Sequence, residues 1–239
     1  MPESNNTEPQ SSSAATESTA KKPRVFTDYS IKAILMRAEL AVTGHNSDPD
    51  IQSAMAAFNY DSAAIAALDA QLTAAKAMVA ATTQSRGAQK GATKKVKDDL
   101  KVAQSTAATF ALVCRDLLDE ATLTGLGLTS GPAPRPIAAF LLYADTLFTN
   151  ALSASSDVKA KLATRGYNDV RLNSEKAKIT ALHTANQAQE QAKGTSQDLT
   201  PQQKQTLTKL DDAIMLYRKL ARRALKGRPQ LLEKLGIKA

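Results

Sequence analysis

Tryptophan is absent from this chain, phenylalanine and tyrosine occur five times each, and there are only ten glycines, nine prolines, two histidines and one cysteine. Each scarcity excludes something. One cysteine rules out an intramolecular disulfide, and Cys114 reads as a small buried hydrophobe. Two histidines, without Glu-x-x-His pairs, leave a metal centre of the helical-bundle kind without ligands, so no metal site is expected. With so few aromatics, and none interleaved with basic residues, base stacking on single strands has little to work with. Sparse glycine and proline, together with missing β-branched runs, remove the turns and strands of a β fold. No segment approaches the roughly 18 uninterrupted apolar residues of a membrane span, and the start lacks the basic-then-apolar order of a secretory leader. The expectation is a soluble, cytoplasmic protein without membrane insertion.

What is present is alanine, aliphatic side chains and a net charge of +8 over 239 residues, with a strong internal correspondence. Adding 107 to a residue number in the first half carries Tyr60 to Tyr167, Gly87 to Gly194 and Thr93 to Thr200. Apolar positions follow, as Leu40/Leu147, Ile51/Val158, Met55/Leu162, Leu72/Ile179, Leu100/Leu207 and Phe110/Tyr217. A period of this length marks a duplicated helical unit. The domain reading is a polar, disordered arm over 1–24, then one helical domain over 25–239. That domain comprises repeat 1 (25–122), a glycine- and proline-rich linker (123–136) and repeat 2 (137–239).

Within each repeat the signals recur. A first helix over 28–44 is followed by Asp48-Pro49, a cap with proline at the first helical position. Asn59 and Gly166 suit a left-handed helix end, and Asp61 and Asn168 cap the next helix. Spacings of three and four then run through Ile65, Leu68, Leu72, Ala75 and Val79. Their counterparts are Leu172, Glu175, Ile179, Leu182 and Asn186, a wetter seam. Gly87 and Gly194 are expected to end these helices, with Thr93 and Thr200-Pro201 capping the following ones. The predicted fold is therefore all-α. It is an internally duplicated antiparallel bundle in which each repeat gives a shorter helix and a long helical hairpin, and the two hairpins form a four-helix core.

Reaction chemistry is hard to find. Adjacent acids such as Asp98-Asp99, Asp119-Glu120 and Asp211-Asp212 point about 100° apart on a helix and read as solvated pairs. His45 and His183 read as surface residues. Gly125-Leu-Gly127 lacks the strand and further glycines of a nucleotide loop. No catalytic residue and no cofactor are expected, and the chain reads as non-enzymatic. Two surfaces stand out. Arg218, Lys219, Arg222, Arg223, Lys226 and Arg228 form a basic helix end suited to an anionic partner, nucleic acid among them, although cations also complement a helix C-terminus. Leu231, Leu232 and Leu235 give a terminal helix an apolar face that either seals the bundle or contacts another subunit. The leading functional expectation is a structural, assembly or scaffold protein that associates with itself or another protein through helix faces, as a homo-oligomer. The alternative is a basic accessory protein for nucleic acid or another anionic surface. A carrier or enzyme using a pocket in the bundle, hinted at only by Glu175 and Asn186, comes third.

Overall fold

A computed structural model describes residues 24–128 and 131–238. Among them every element is a helix: α1 Asp28–Ser47, α2 Pro49–Ala56, α3 Ser62–Leu117, α4 Glu120–Gly125, α5 Ile137–Leu152, α6 Ser156–Ala163, α7 Asp169–Ala224 and α8 Pro229–Lys234. The expected arm lies outside the described residues except for Arg24, which is anchored by Asp211 at 3.0 Å and Asp212 at 2.7 Å.

The caps fall where local chemistry places them. Asp48 accepts from the backbone of Asp50 and Ile51 ahead of Pro49, and Asp61 accepts from Ala63 and Ala64. Asn168 accepts from Arg171. Each side-chain oxygen satisfies N–H groups that have no partner inside the helix. Asn59 (φ 57°) and Gly166 (φ 79°) take the left-handed conformation that ends α2 and α6.

The long hairpins are a different matter. Gly87 and Gly194 end nothing: α3 and α7 each run unbroken for 56 residues, about 84 Å at 1.5 Å per residue. Thr93 and Thr200 cap nothing either; their hydroxyls donate back to the carbonyls of Gln89 and Ser196 within the same helix. Pro201 lies inside α7. Each glycine weakens a helix by about 0.5–1 kcal/mol, and a helix paired along its whole length outweighs that. α3 and α7 lie antiparallel, with Gln189 bonding Thr93 across their middle at 3.1 Å.

Consequently there is no four-helix core among the described residues. Two separate apolar clusters form instead, one at each end of the α3–α7 pair. The first lobe is built from α1, α2, residues 65–75 of α3, residues 207–221 of α7, and α8 with its tail. The second is built from residues 96–114 of α3, residues 172–185 of α7, α5, Leu162 of α6, and Leu126 and Leu128 beyond α4. Along α3 the clusters are separated from Ala75 to Val96, about 31 Å of helix. Buried positions in that waist and at its edge include the polar Thr82, Ser196 and Gln203.

α2 and α6 are eight residues each, α3 and α7 are equally long, and both pairs start 107 positions apart. Packing follows suit in part: α1 lies on α3 as α5 lies on α7, and α2 lies on α7 as α6 lies on α3, but α1 also packs closely on α7, a backbone approach that α5 does not match on α3. Each lobe therefore contains chain from both halves. One 18-residue window of α3 reaches a mean hydropathy of 1.3, apolar enough to cross a membrane by length and composition, with 22% of it buried. In this fold the apolar stripe of that helix faces α1 and α7.

Candidate functional site

The helix-end positions show how differently the two lobes are finished. At the end of α7, Lys219, Arg222, Arg223, Lys226 and Arg228 are exposed, and Arg218 is half-buried. Ile214, Tyr217, Ala221 and Leu225 on the opposite face are buried, so the heptad-like spacing that packs the lobe also turns the cations outward. Arg218 donates to the carbonyl of Gly236 at 3.5 Å. Burial first, and then the charges of Arg37 and Arg222, hold its guanidinium below the ordinary arginine value. No ion pair joins any of the six to a carboxylate among the described residues, whereas nearby Arg37 reaches Asp211 at 3.6 Å. Arg222, Lys226 and Lys238 border a shallow cleft of about 310 Å³ over Pro229 and Leu232.

At the same place on α3 the chain carries Ala111, Leu112, Arg115, Asp116, Asp119 and Ala121. Both helix ends have the same dipole, and the last turn of α3 carries one cation and one acid, Arg115 and Asp116, while Asp119 caps α4. Helix-end electrostatics alone therefore do not call for the basic cluster.

The terminal leucines are placed inside the molecule. Leu232 and Leu235 are buried in the first lobe, joined by Ile237, and Leu231 packs half-buried against them. Of the two roles expected for this face, sealing the bundle is the one the geometry accommodates. α8 is held down by Lys234, whose ammonium bonds Asp48 at 2.8 Å and holds that carboxyl below its ordinary value. The linker repeats the device: Leu126 and Leu128 are buried, and the amide of Leu128 bonds the carbonyl of Leu123 as that of Ile237 bonds Leu232. Gly127 and Gly236 supply the positive φ, 84° and 63°.

His45, expected at the surface, is 2% exposed. Its Nδ1 lies 3.4 Å from the hydroxyl of Tyr217, and the rings of Tyr60 and Tyr217 meet edge to face with centroids 5.0 Å apart. Burial pushes the imidazole down and both tyrosine hydroxyls up. A cleft of about 360 Å³ opens beside this cluster, lined by Gln52, Ser53, Asp61 and Ser62 among others. Sequence reasoning missed His45 because the end of a helix reads as solvent until α7 is folded across it.

In the second lobe Tyr167 packs on Phe110 with centroids 4.9 Å apart, and the Arg171 guanidinium covers its ring at 3.9 Å. Glu175, a polar seam position, is held by Arg171 and Lys178. Asn186 and the exposed His183 border a groove of about 530 Å³ between α5 and α7, floored by Leu141 and Ile179. Cys114 is buried, with its thiol pushed up to about 12, and so behaves as an inert apolar group. No cluster of three or more His, Cys, Asp or Glu suited to a metal ion occurs among the described residues.

Compared with known proteins, the chain matches no family model, no curated protein and no solved structure.

Proposed function

We propose that the protein is a non-enzymatic structural or scaffold element, a two-ended spacer made by duplication of one helical unit. The observation that carries this reading is the pair of 56-residue helices that runs through both lobes. A single lobe needs only about a third of each helix to build its core; the remainder sets the distance between the lobes. The equal helix bounds 107 residues apart support descent of both halves from one unit, with a pseudo-twofold axis near the middle of the α3–α7 pair. Two similar lobes held about 30 Å apart along paired helices suit a part that positions things at its ends, as a scaffold does.

Small-angle scattering combined with light scattering on the full chain tests this. A maximum dimension of about 80–90 Å per protomer, retained within a discrete or concentration-driven assembly, is the expected result. A compact particle of about half that length would end the spacer reading, and a strict monomer at all concentrations would remove self-association from it.

A further inference from the structure

We infer that the exposed end of α7 is an adsorption face for an anionic lipid bilayer, with the first lobe as the membrane-facing end of the molecule. Cations alone would fit any polyanion. What selects a bilayer is the apolar residues set among them. Met215 and Leu216, 45% and 55% exposed, lie one turn before Lys219, Arg222 and Arg223 on the outward side of the same helix.

Phosphate contact and counterion release make no use of methionine or leucine side chains; where nucleic-acid binders do use them, they serve as wedges between the base steps of a kinked duplex. The interfacial zone of a bilayer takes both kinds of group: basic residues against anionic headgroups and short apolar side chains into the acyl boundary. The second lobe shows that the fold does not require a cluster of cations at this helix end. Where the first lobe has Met215 and Leu216 the second has Ala108 and Thr109, and where it has Arg218, Lys219, Arg223 and Lys226 the second has Ala111, Leu112, Asp116 and Asp119; only Arg222 keeps a basic counterpart, Arg115. Exposed apolar residues occur in both lobes, with Leu112 63% and Leu142 72% exposed in the second; what sets the first lobe apart is the cluster of cations beside them. This inference stands apart from the spacer reading, since it concerns one surface and holds whatever the length or assembly of the protein.

Sedimentation of the full chain with phosphatidylcholine vesicles, with and without phosphatidylglycerol and at low and high salt, is the test. Binding only to the anionic vesicles, weakened by salt, is expected. Replacing Lys219, Arg222 and Arg223 together by Gln should weaken partition on the order of 100-fold. Met215→Ala with Leu216→Thr, which copies the second lobe, should weaken it on the order of tenfold at unchanged charge. All altered positions are solvent-facing, and thermal melting of each variant verifies that it is folded. Absence of binding to anionic vesicles overturns the proposal, as does binding that ignores the apolar pair. Retention of duplex DNA that is sensitive to the three cations but not to the apolar pair, without vesicle binding, overturns it in favour of a nucleic-acid surface.

Discussion

The two lobes solve one packing problem with different side chains. In the second lobe Phe110, Phe148 and Tyr167 stack around an aliphatic core, with the rings of Phe110 and Phe148 4.9 Å apart. In the first, the positions 107 residues away hold Tyr217, Ala41 and Tyr60, and His45 stands where the second lobe has Leu152. The difference is a buried tyrosine hydroxyl and imidazole facing each other at 3.4 Å, against a wholly hydrocarbon contact. A buried polar pair is tolerated only while its groups satisfy one another, so His45 links the core of the first lobe to pH. That lobe also carries the basic end and the terminal helix.

The largest test of the contrast lies at Gly44. A Cβ there would meet Leu235 at 2.8 Å and the carbonyl of Lys234 at 3.0 Å, whereas the position 107 residues on is the fully buried Ala151. Gly44→Ala should therefore destabilise the protein by about 1–3 kcal/mol, read from denaturant unfolding, despite alanine's better helix propensity. Ala151→Gly should cost about 1 kcal/mol through propensity and a lost methyl. A neutral or stabilising Gly44→Ala would mean that α8 does not seat against α1 as described.

The next test is pH. Burial holds His45 below the ordinary value of 6.5, so on acidification the unfolded chain takes up a proton that the folded chain resists. Stability from this group is complete above that pH and falls as pH drops below it toward the folded value. His45→Leu, the residue of the second lobe, should flatten the pH dependence of the unfolding midpoint between about pH 7 and 5. An undiminished slope in the variant would place the responsible group elsewhere.

The smallest effects concern the waist that joins the lobes. Nothing lies within 4 Å of a Cβ added at Gly87, Gly91 or Gly194, and all three are inside continuous helix. Alanine at each should raise stability by about 0.5–1 kcal/mol, measured as a higher thermal midpoint. Loss of stability on substitution would show that these glycines serve a bend or break in solution.

Much of this architecture was legible in the chain. Local chemistry declared the ends of α2 and α6 at Asn59 and Gly166, the caps at Asp48, Asp61 and Asn168, and the apolar stripes of the long helices, because each depends on a few neighbouring residues. The basic face of α7 was legible for the same reason, since helical spacing puts Arg218 and Arg222 together wherever the helix goes. Three things were not. Whether Gly87 and Gly194 break a helix turns on a difference of about 1 kcal/mol, which pairing of α3 with α7 outweighs. Whether His45 meets solvent depends on α7, 172 residues away. And whether Leu232 and Leu235 face a partner or their own core depends on the groove left beside Gly44. Sequence alone decided the helical character of the segments, the phase of their apolar stripes and the charge they display, because those are short-range properties of the backbone. The partners of each face, and so two lobes on one shared helix pair in place of a single four-helix core, were settled only in three dimensions, because burial free energy belongs to the contact and not to the residue.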